Sequence, residues 1–406
     1  MKRCKATTVA ALLLLSMSSL LVAQGRFPPK YELSQGDAAS LLMMSGRFVV
    51  PLQVKTDIMK GVPRDFAGEG TYFQARLGEK DVLFALDGSK PPKLYVDTNR
   101  DGRLSDEKAF GVGSPKKGDQ FEAIEGARVY GPVSVAAGEK GAETRLSIVA
   151  LGASAIYVSQ AGFMSGRVRL DGQDYRVVVA DCNFDGHYDR TYGVPESAAS
   201  VDVECETFAI GSDAEGKFDQ RAAVGGPQPL PKMISVGKTC YSIQVAPDGS
   251  SIEMDKVEPK MGTLDIGKSG VELTLWSESG VHRLSGDAGT WDLPVGKYAV
   301  QNLVLRSEDK TGKWSLMGSP GRDKGVGFEI VGNKTTAVKF GQPLAVKTEM
   351  TVEGDTATFS LSVAGQGGEQ YMAMPFRDNV PAKVTPKLVI YNELGKEIAS
   401  GLFEHG

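Results

Sequence analysis

Two short segments of the chain carry the same spacing of acidic and amide side chains. They are DTNRDG at positions 97–102 and DCNFDG at positions 181–186. Turns favour these residues without any metal, because Asp and Asn side chains bond to their own backbone and Gly adopts positive φ without steric cost. At average usage, however, the pattern D-x-N-x-D-G arises by chance only about 0.006 times in a chain of this length. Two copies therefore favour a pair of ion-binding loops.

Oxygen atoms at loop positions 1, 3 and 5 suit calcium, which takes about six to eight oxygen ligands. A backbone that wraps around the ion brings these side chains to one point, and glycine at position 6 permits the sharp turn. Position 7 supplies a main-chain carbonyl, and position 9 supplies a side chain, directly or through water. The predicted ligands are Asp97, Asn99, Asp101, Arg103 and Ser105 in the first loop, and Asp181, Asn183, Asp185, His187 and Asp189 in the second.

These segments resemble the calcium loops of EF-hand and dockerin-type proteins over about a dozen residues each, which implies a calcium site and not a fold. At position 12, where that family has a bidentate Glu, this chain has Lys108 and Tyr192. Asp106 and Glu107 could supply the missing ligand only in a shorter loop. Each loop also follows a predicted strand instead of a helix. The resemblance therefore implies weak binding, with a Kd of about 10⁻⁴ to 10⁻³ M as in extracellular modules.

The segments that lead into the two loops are also alike. LYVDTNRDGRLSD at 94–106 and VVADCNFDGHYDR at 178–190 are offset by 84 positions. Both place an apolar run directly before the first Asp. We interpret this as an internal duplication of a strand that continues into a loop.

Alternating apolar and polar residues, with Gly-rich turns every eight to twelve residues, predict a mainly β protein built from tandem meander or sandwich domains. Few short helices are expected, one of them capped by Asp37. The predicted domains are a signal peptide at 1–23, β-rich blocks with one loop each at 24–112 and 113–261, and β-sandwiches at 262–342 and 343–406. LPVGKY at 293–298 resembles a turn of prealbumin-like sandwiches, which implies a fold and no activity. The last block resembles an immunoglobulin-like domain that is incomplete where the sequence ends.

The first 23 residues have the features of an export signal. Three cations in MKRCK precede an apolar stretch from Ala6 to Ala23, and we expect cleavage after Ala23. Retention as an anchor is the alternative, because a membrane span needs about 17 to 25 residues. The protein is therefore expected to be periplasmic or extracellular, with no membrane span once the signal is removed.

Charge argues against a nucleic-acid partner. The chain has 46 Lys and Arg against 50 Asp and Glu, a net charge of −4, and loss of residues 1–23 would leave 43 against 50, or −7. No stripe of basic and aromatic residues is present. We expect no contact with nucleic acid.

Three cysteines, Cys182, Cys205 and Cys240, would remain in the exported chain. Two of them can pair in an oxidising compartment, and any of the three pairings is possible. The alternative is that all three are small buried residues.

The motifs of common enzyme classes are missing from the sequence. His187, His282 and His405 are its only histidines, without H-E-x-x-H or G-x-S-x-G motifs. A glycosidase-like carboxylate pair has no local signature, although any two acids could meet in space. The sequence favours an exported, calcium-binding, non-enzymatic β-protein, a binding or structural module whose loops calcium stabilises. Its partner is not identified by the sequence, and a polysaccharide or another exported protein is the candidate. A calcium-dependent enzyme of carbohydrate or envelope metabolism, using a carboxylate pair, is the alternative.

Overall fold

The structure of the protein is a computed structural model. Segments in which apolar and polar residues alternate are β-strands in it. In the strand Val271–Ser277, Val271, Leu273 and Leu275 are buried and the residues between them are half-exposed. Period-two burial of this kind is what places one face of a sheet on a core. The predicted mainly β fold class is confirmed, and the described residues contain no α-helix.

The structure describes residues 30–33, 48–51, 61–78, 80–113, 125–137, 142–152, 155–194, 205–211, 227–267, 270–285, 289–319, 327–372, 375–382 and 386–403. The predicted export signal and the helix predicted after Asp37 lie outside these ranges. Within them, no helix has the length and apolar character needed to cross a membrane.

The described chain divides into two compact units, the first drawn from Met1–Tyr192 and Glu204–Glu258 and the second from Gly193–Val203 and Pro259–Gly406. The domain boundaries predicted from sequence stay predictions. The first unit contains the strands β1 Lys30–Leu33, β2 Phe48–Pro51, β3 Thr71–Leu77, β4 Lys80–Leu86, β5 Leu94–Val96, β6 Ala127–Ala137, β7 Ala142–Leu151, β8 Ala155–Gln160, β9 Gly162–Leu170, β10 Gln173–Ala180, β11 Thr207–Gly211, β12 Gln228–Pro229, β13 Met233–Val236, β14 Thr239–Val245 and β15 Ile252–Val257.

Two sheets of the first unit share one apolar core. They are the three-stranded sheet β3-β4-β5 and the four-stranded sheet β2-β8-β7-β6, both antiparallel. Phe73, Phe84, Tyr130 and Ile148 lie in this first core, together with Phe184 from the second D-x-N-x-D-G segment. A loop residue therefore completes the packing between two sheets.

A second core lies between the five-stranded sheet β1-β9-β10-β11-β12 and the three-stranded sheet β13-β14-β15. Val177 and Val179 of β10 and Phe208 of β11 point into it, and Tyr188 joins them from the chain that follows the second loop. The antiparallel pair β10–β11, with Ala180 opposite Thr207 at its end, leads directly to that loop.

The second unit contains β16 Met261–Asp265, β17 Val271–Ser277, β18 Gly280–Leu284, β19 Thr290–Pro294, β20 Gly296–Asp309, β21 Gly312–Ser319, β22 Gly327–Ile330, β23 Thr335–Ala337, β24 Ala345–Glu353, β25 Thr356–Ala364, β26 Gln370–Tyr371, β27 Phe376–Arg377, β28 Val380–Pro381, β29 Lys387–Tyr391 and β30 Glu397–Leu402. The sheet β19-β16-β23 and the larger sheet built around β17, β20 and β21 contribute to one core. Strands β29 and β30 form a separate two-stranded sheet.

A half-buried histidine lies inside a hydroxyl network of the second unit. The Nε2 atom of His282 is 3.0 Å from the hydroxyl of Ser279, which is 2.7 Å from the hydroxyl of Ser277. The ring of Tyr298 packs beside the imidazole at 5.5 Å between centroids. Burial lowers the pKa of His282 to about 4, from an ordinary value near 6.5.

This shift predicts a pH-dependent stability of the second unit. Between about pH 4 and pH 6.5, His282 is protonated in the unfolded chain and neutral in the folded chain. The free energy of unfolding therefore rises with pH across that window. We expect the free energy of unfolding to fall by up to about 3 kcal/mol on going from pH 7 to pH 4. All three tryptophans belong to this unit, so urea unfolding followed by their fluorescence measures it.

The His282→Gln variant should show a flatter pH dependence than the unaltered protein. His187→Gln, at an exposed position in the other unit, should leave the dependence unchanged. Equal slopes for His282→Gln and the unaltered protein would contradict the assignment.

Candidate metal site

The two D-x-N-x-D-G segments fold into loops of the same backbone conformation. Position 4 is left-handed in both, with φ of 56° at Arg100 and 60° at Phe184. Position 6 is also left-handed, with φ of 80° at both Gly102 and Gly186. Glycine adopts such angles at little cost, which explains its place at position 6, whereas Arg100 and Phe184 adopt them at position 4 with a side chain present.

The first Asp of each loop accepts hydrogen bonds from the backbone that turns around it. In the second loop, Asp181 Oδ2 accepts the N–H of Gly186 at 3.0 Å and Oδ1 accepts that of Asp185 at 3.2 Å. In the first loop, Asp97 accepts the corresponding bonds from Gly102 at 3.0 Å and from Asp101 at 3.1 Å. This shared pattern aims both carboxylates at the inside of their loops.

Three carboxylates meet at the second loop. Oxygen atoms of Asp181, Asp185 and Glu206 all lie within 4.8 Å of one another. Asp181 and Glu206 are 1% and 0% exposed, whereas Asp185 is half-buried. One oxygen of Glu206, Oε2, accepts the N–H of Cys182 at 3.0 Å, and the other, Oε1, has no hydrogen-bond partner in the described part of the protein. A buried acceptor without a donor is costly.

Strand pairing brings Glu206 to this place. Strands β10 and β11 are antiparallel, and their last pair is Ala180 with Thr207. Continuing that register by one residue sets Asp181 opposite Glu206. Sequence reasoning missed Glu206 because it lies 25 positions after Asp181, the first residue of the second loop. It directly precedes a different strand, β11. The only local signal is an acid placed directly before the apolar strand TFAIG.

Two polar residues of the neighbouring sheet orient Asp181. The hydroxyl of Thr144 on β7 donates to the Asp181 carboxylate and accepts the amide N–H of Gln160 on β8 at 2.7 Å. Thr144 and Gln160 are themselves buried, at 1% and 3% exposure. Such a second layer fixes the direction of a ligand oxygen before any ion arrives.

The carboxylates of the cluster crowd one another, although Arg190 acts on Glu206 and Arg100 on Asp181 as positive charges. Burial raises the pKa of Glu206, and the neighbouring Asp181 raises it further. Burial, and then Asp185, raises the pKa of Asp181. Removing carboxylates from water and placing them side by side disfavours their charged forms. A bound cation would relieve both effects at once.

The first loop differs in its surroundings. Burial raises the pKa of Asp97 to about 6, but Asn99 and Asp101 are exposed. Glu107 accepts the N–H and the hydroxyl of Thr98, both at 2.7 Å, so it occupies the place that Glu206 takes in the second loop. Among the described residues, Asp97 does not belong to a group of three carboxylates whose oxygens lie within 4.8 Å of one another, as they do at the second loop.

The other predicted ligands lie at the loop surface. The side chains of Arg103, Ser105, His187 and Asp189 are exposed, whereas Asn183 is half-buried. The N–H groups of Arg103 and His187 donate to Asp101 and Asp185, at 2.9 and 2.8 Å. At position 12, Lys108 is exposed and Tyr192 is buried, so neither replaces the family's Glu.

The two loops contact each other. Arg100 of the first loop donates to the carbonyls of Leu77 and of Phe184, at 3.1 and 3.4 Å. The N–H of Gly78 donates to the carbonyl of Asn183 at 2.9 Å. A Cβ at Gly78 would lie 3.0 Å from the backbone of the second loop, so this approach requires glycine. The first loop therefore supports the backbone of the second.

No family model, curated protein or solved structure matches this chain. Its function is therefore inferred from the geometry and chemistry of the site.

Replacing Glu206 by Gln should stabilise the protein when divalent cations are removed. The amide keeps an acceptor for Cys182 and removes one of three crowded carboxylates, so we expect the free energy of unfolding to rise by about 1 to 2 kcal/mol. Urea unfolding in EDTA at pH 7, followed by far-UV circular dichroism, measures the change. Glu143→Gln, an exposed position on β7, is the matched control and should change little. A lower stability of Glu206→Gln in EDTA would contradict the crowding.

Proposed function

We propose that this protein is an exported, non-enzymatic β-protein that binds calcium at its second loop, through Asp181, Asp185 and Glu206. The observation that carries the proposal is the fully buried carboxylate of Glu206, which lies beside two other carboxylates and whose Oε1 has no donor among the described residues. The first loop is a weaker site, because Asn99 and Asp101 are exposed there and Glu107 already accepts two hydrogen bonds.

The donor set favours a hard cation. All candidate ligand atoms are oxygens, from carboxylates, the Asn183 amide and the main-chain carbonyl at position 7. Calcium accepts this irregular arrangement of about six to eight oxygens, whereas magnesium demands near-ideal octahedral geometry and retains several waters. A site that is enclosed and held by protein oxygens therefore suits calcium better.

Burial favours an ion over a substrate. A carboxylate pair that cleaves a glycosidic bond must reach both the sugar and a water molecule. Asp181 and Glu206 are almost fully buried, against the cores of two sandwiches. The alternative of a calcium-dependent enzyme would need a second, accessible pair of acids.

Calcium would act on stability. An ion that binds only the folded chain adds RT ln(1 + [Ca]/Kd), about 1.4 kcal/mol at ten times the Kd. Because Asp181 follows β10 and Glu206 precedes β11, the ion would tie together the ends of two strands. The recognition of a polysaccharide or another exported protein would then belong to surfaces that calcium keeps in shape.

Calcium titration of the full chain tests the proposal directly. We expect heat of binding by calorimetry and a higher melting temperature for the unaltered protein, up to about 10 mM calcium, beyond the weak extracellular range. Asp101→Asn, in the first loop, should keep the binding of the second loop. Glu206→Gln should lose it, although the same variant is more stable than the unaltered protein in EDTA. Full calcium binding by Glu206→Gln, or no heat from the unaltered protein, would overturn the proposal.

Thr144→Val tests the layer behind the ligands. The substitution keeps the shape of the side chain and removes the hydroxyl that orients Asp181. We expect about tenfold weaker calcium binding, the low end for partners of this kind. Thr356→Val, at an exposed position of the second unit, is the control and should leave the Kd unchanged. An unchanged Kd in Thr144→Val would show that Asp181 is oriented by its loop alone.

A further inference from the structure

Two cysteines lie next to two of the proposed ligands. Cys182 follows Asp181 in the second loop, and Cys205 precedes Glu206 at the entry to β11. Both are thiols in this structure and both are buried, at 6% and 4% exposure. They are separated by 23 positions in the sequence. The calcium site does not use their side chains.

Strand register places these cysteines opposite each other. The antiparallel ladder of β10 and β11 ends with Ala180 opposite Thr207. Two steps further along the same register, Cys182 falls opposite Cys205. The two segments stay close beyond the end of the ladder. The N–H of Cys182 donates to the Glu206 carboxylate at 3.0 Å, and carboxylate oxygens of Asp181 and Glu206 lie within 4.8 Å of each other.

The side chains also share one face of the pair. Side chains two residues apart in an extended chain point the same way. Cys182 packs in a cluster with Phe163, Val178 and Ala180, of which Val178 and Ala180 precede it by four and two positions. Their partners across the ladder are Ala209 and Thr207, which follow Cys205 by four and two positions.

The register also sets the expected spacing of the two cysteines. Cα atoms of directly opposed residues in antiparallel pairs are about 4.5 to 5.5 Å apart. A disulfide spans Cα separations of about 4.4 to 6.8 Å. Two cysteines that continue this register would therefore have the spacing that a disulfide needs.

The third cysteine is placed elsewhere. Cys240 lies on β14. It is opposite Ser235 of β13 on one side and opposite Val257 of β15 on the other. Its sulfur is 3.3 Å from the hydroxyl of Ser235. Neither Cys182 nor Cys205 faces Cys240 in the sheet registers of the described strands.

We propose that Cys182 and Cys205 form a disulfide when the chain folds in the presence of a disulfide donor, and that Cys240 stays a thiol. Each of the two cysteines gives up its proton, their sulfurs bond to each other, and the two electrons released reduce a donor such as oxidised glutathione to two thiols. Since both sulfurs are buried in the folded protein, the bond forms while this segment is still open and is then shielded from reductants.

The bond would also shape the calcium site, a consequence that rests on the proposed function. It joins the residue after Asp181 to the residue before Glu206, and so holds two ligands at a fixed separation. Fixing a site in its binding geometry lowers the cost of binding. The oxidised protein should therefore bind calcium more tightly than the reduced one.

A peptide map tests the cross-link without any calcium. The full chain, unfolded in urea and refolded with oxidised and reduced glutathione, is alkylated in urea and digested with trypsin without reduction. We expect peptides 177–190 and 191–217 to be recovered as one disulfide-linked species, which dithiothreitol separates, while peptide 239–256 carries an alkylated Cys240. Cys240→Ser should keep the linked species, and Cys182→Ser should abolish it. Recovery of 177–190 and 191–217 as separate alkylated peptides, or of either one linked to 239–256, would overturn the proposal.

Calorimetry of the Cys240→Ser protein, refolded from urea either with oxidised glutathione or with dithiothreitol, tests the consequence for the site. We expect a several-fold higher Kd for calcium in the protein refolded with dithiothreitol. An unchanged Kd, with the linked peptides present, would overturn the role of the bond in the site. If neither the oxidised nor the reduced protein binds calcium, the proposed function is contradicted. The disulfide shown by the peptide map would be unaffected by that result.

Discussion

The position of the second loop between two apolar cores is the constraint on which the first unit depends. Phe184 fills the core between the sheets β3-β4-β5 and β2-β8-β7-β6. Tyr188, four residues later, fills the core between the other two sheets. A polar loop that contributes a large ring to each core cannot lie at the surface. Its first carboxylate, Asp181, is consequently withdrawn from water.

Burial of a carboxylate demands compensation, and the surrounding residues supply it in layers. Backbone N–H groups of the loop and the hydroxyl of Thr144 bond to Asp181, and Gln160 holds Thr144 in turn. Glu206 brings more negative charge into the same space instead of reducing it. An arrangement that is unfavourable when empty and favourable around a divalent cation is the physical basis for proposing an ion there.

The two loops show how one motif acquires different properties from its environment. Their backbone angles and internal hydrogen bonds agree closely. In the first loop the acid that follows is local, since Glu107 bonds to Thr98, and Asp101 is exposed. In the second loop the corresponding acid, Glu206, comes from another strand and is buried. The first loop supports the second through Arg100, and Gly78, between β3 and β4, supports it as well.

The sequence by itself determined the β-strands and the conformation of the two loops, because both depend on local chemistry. Alternation along segments such as Val271–Ser277 fixes which residues face a core, and Asp, Asn and Gly at fixed spacing fix a turn. Only the tertiary structure decided that Glu206 and Cys205 lie beside the second loop and that Phe184 belongs to a core. Strand pairing between β10 and β11 joins residues far apart in the chain, and nothing in a local pattern specifies which strands pair or in what register.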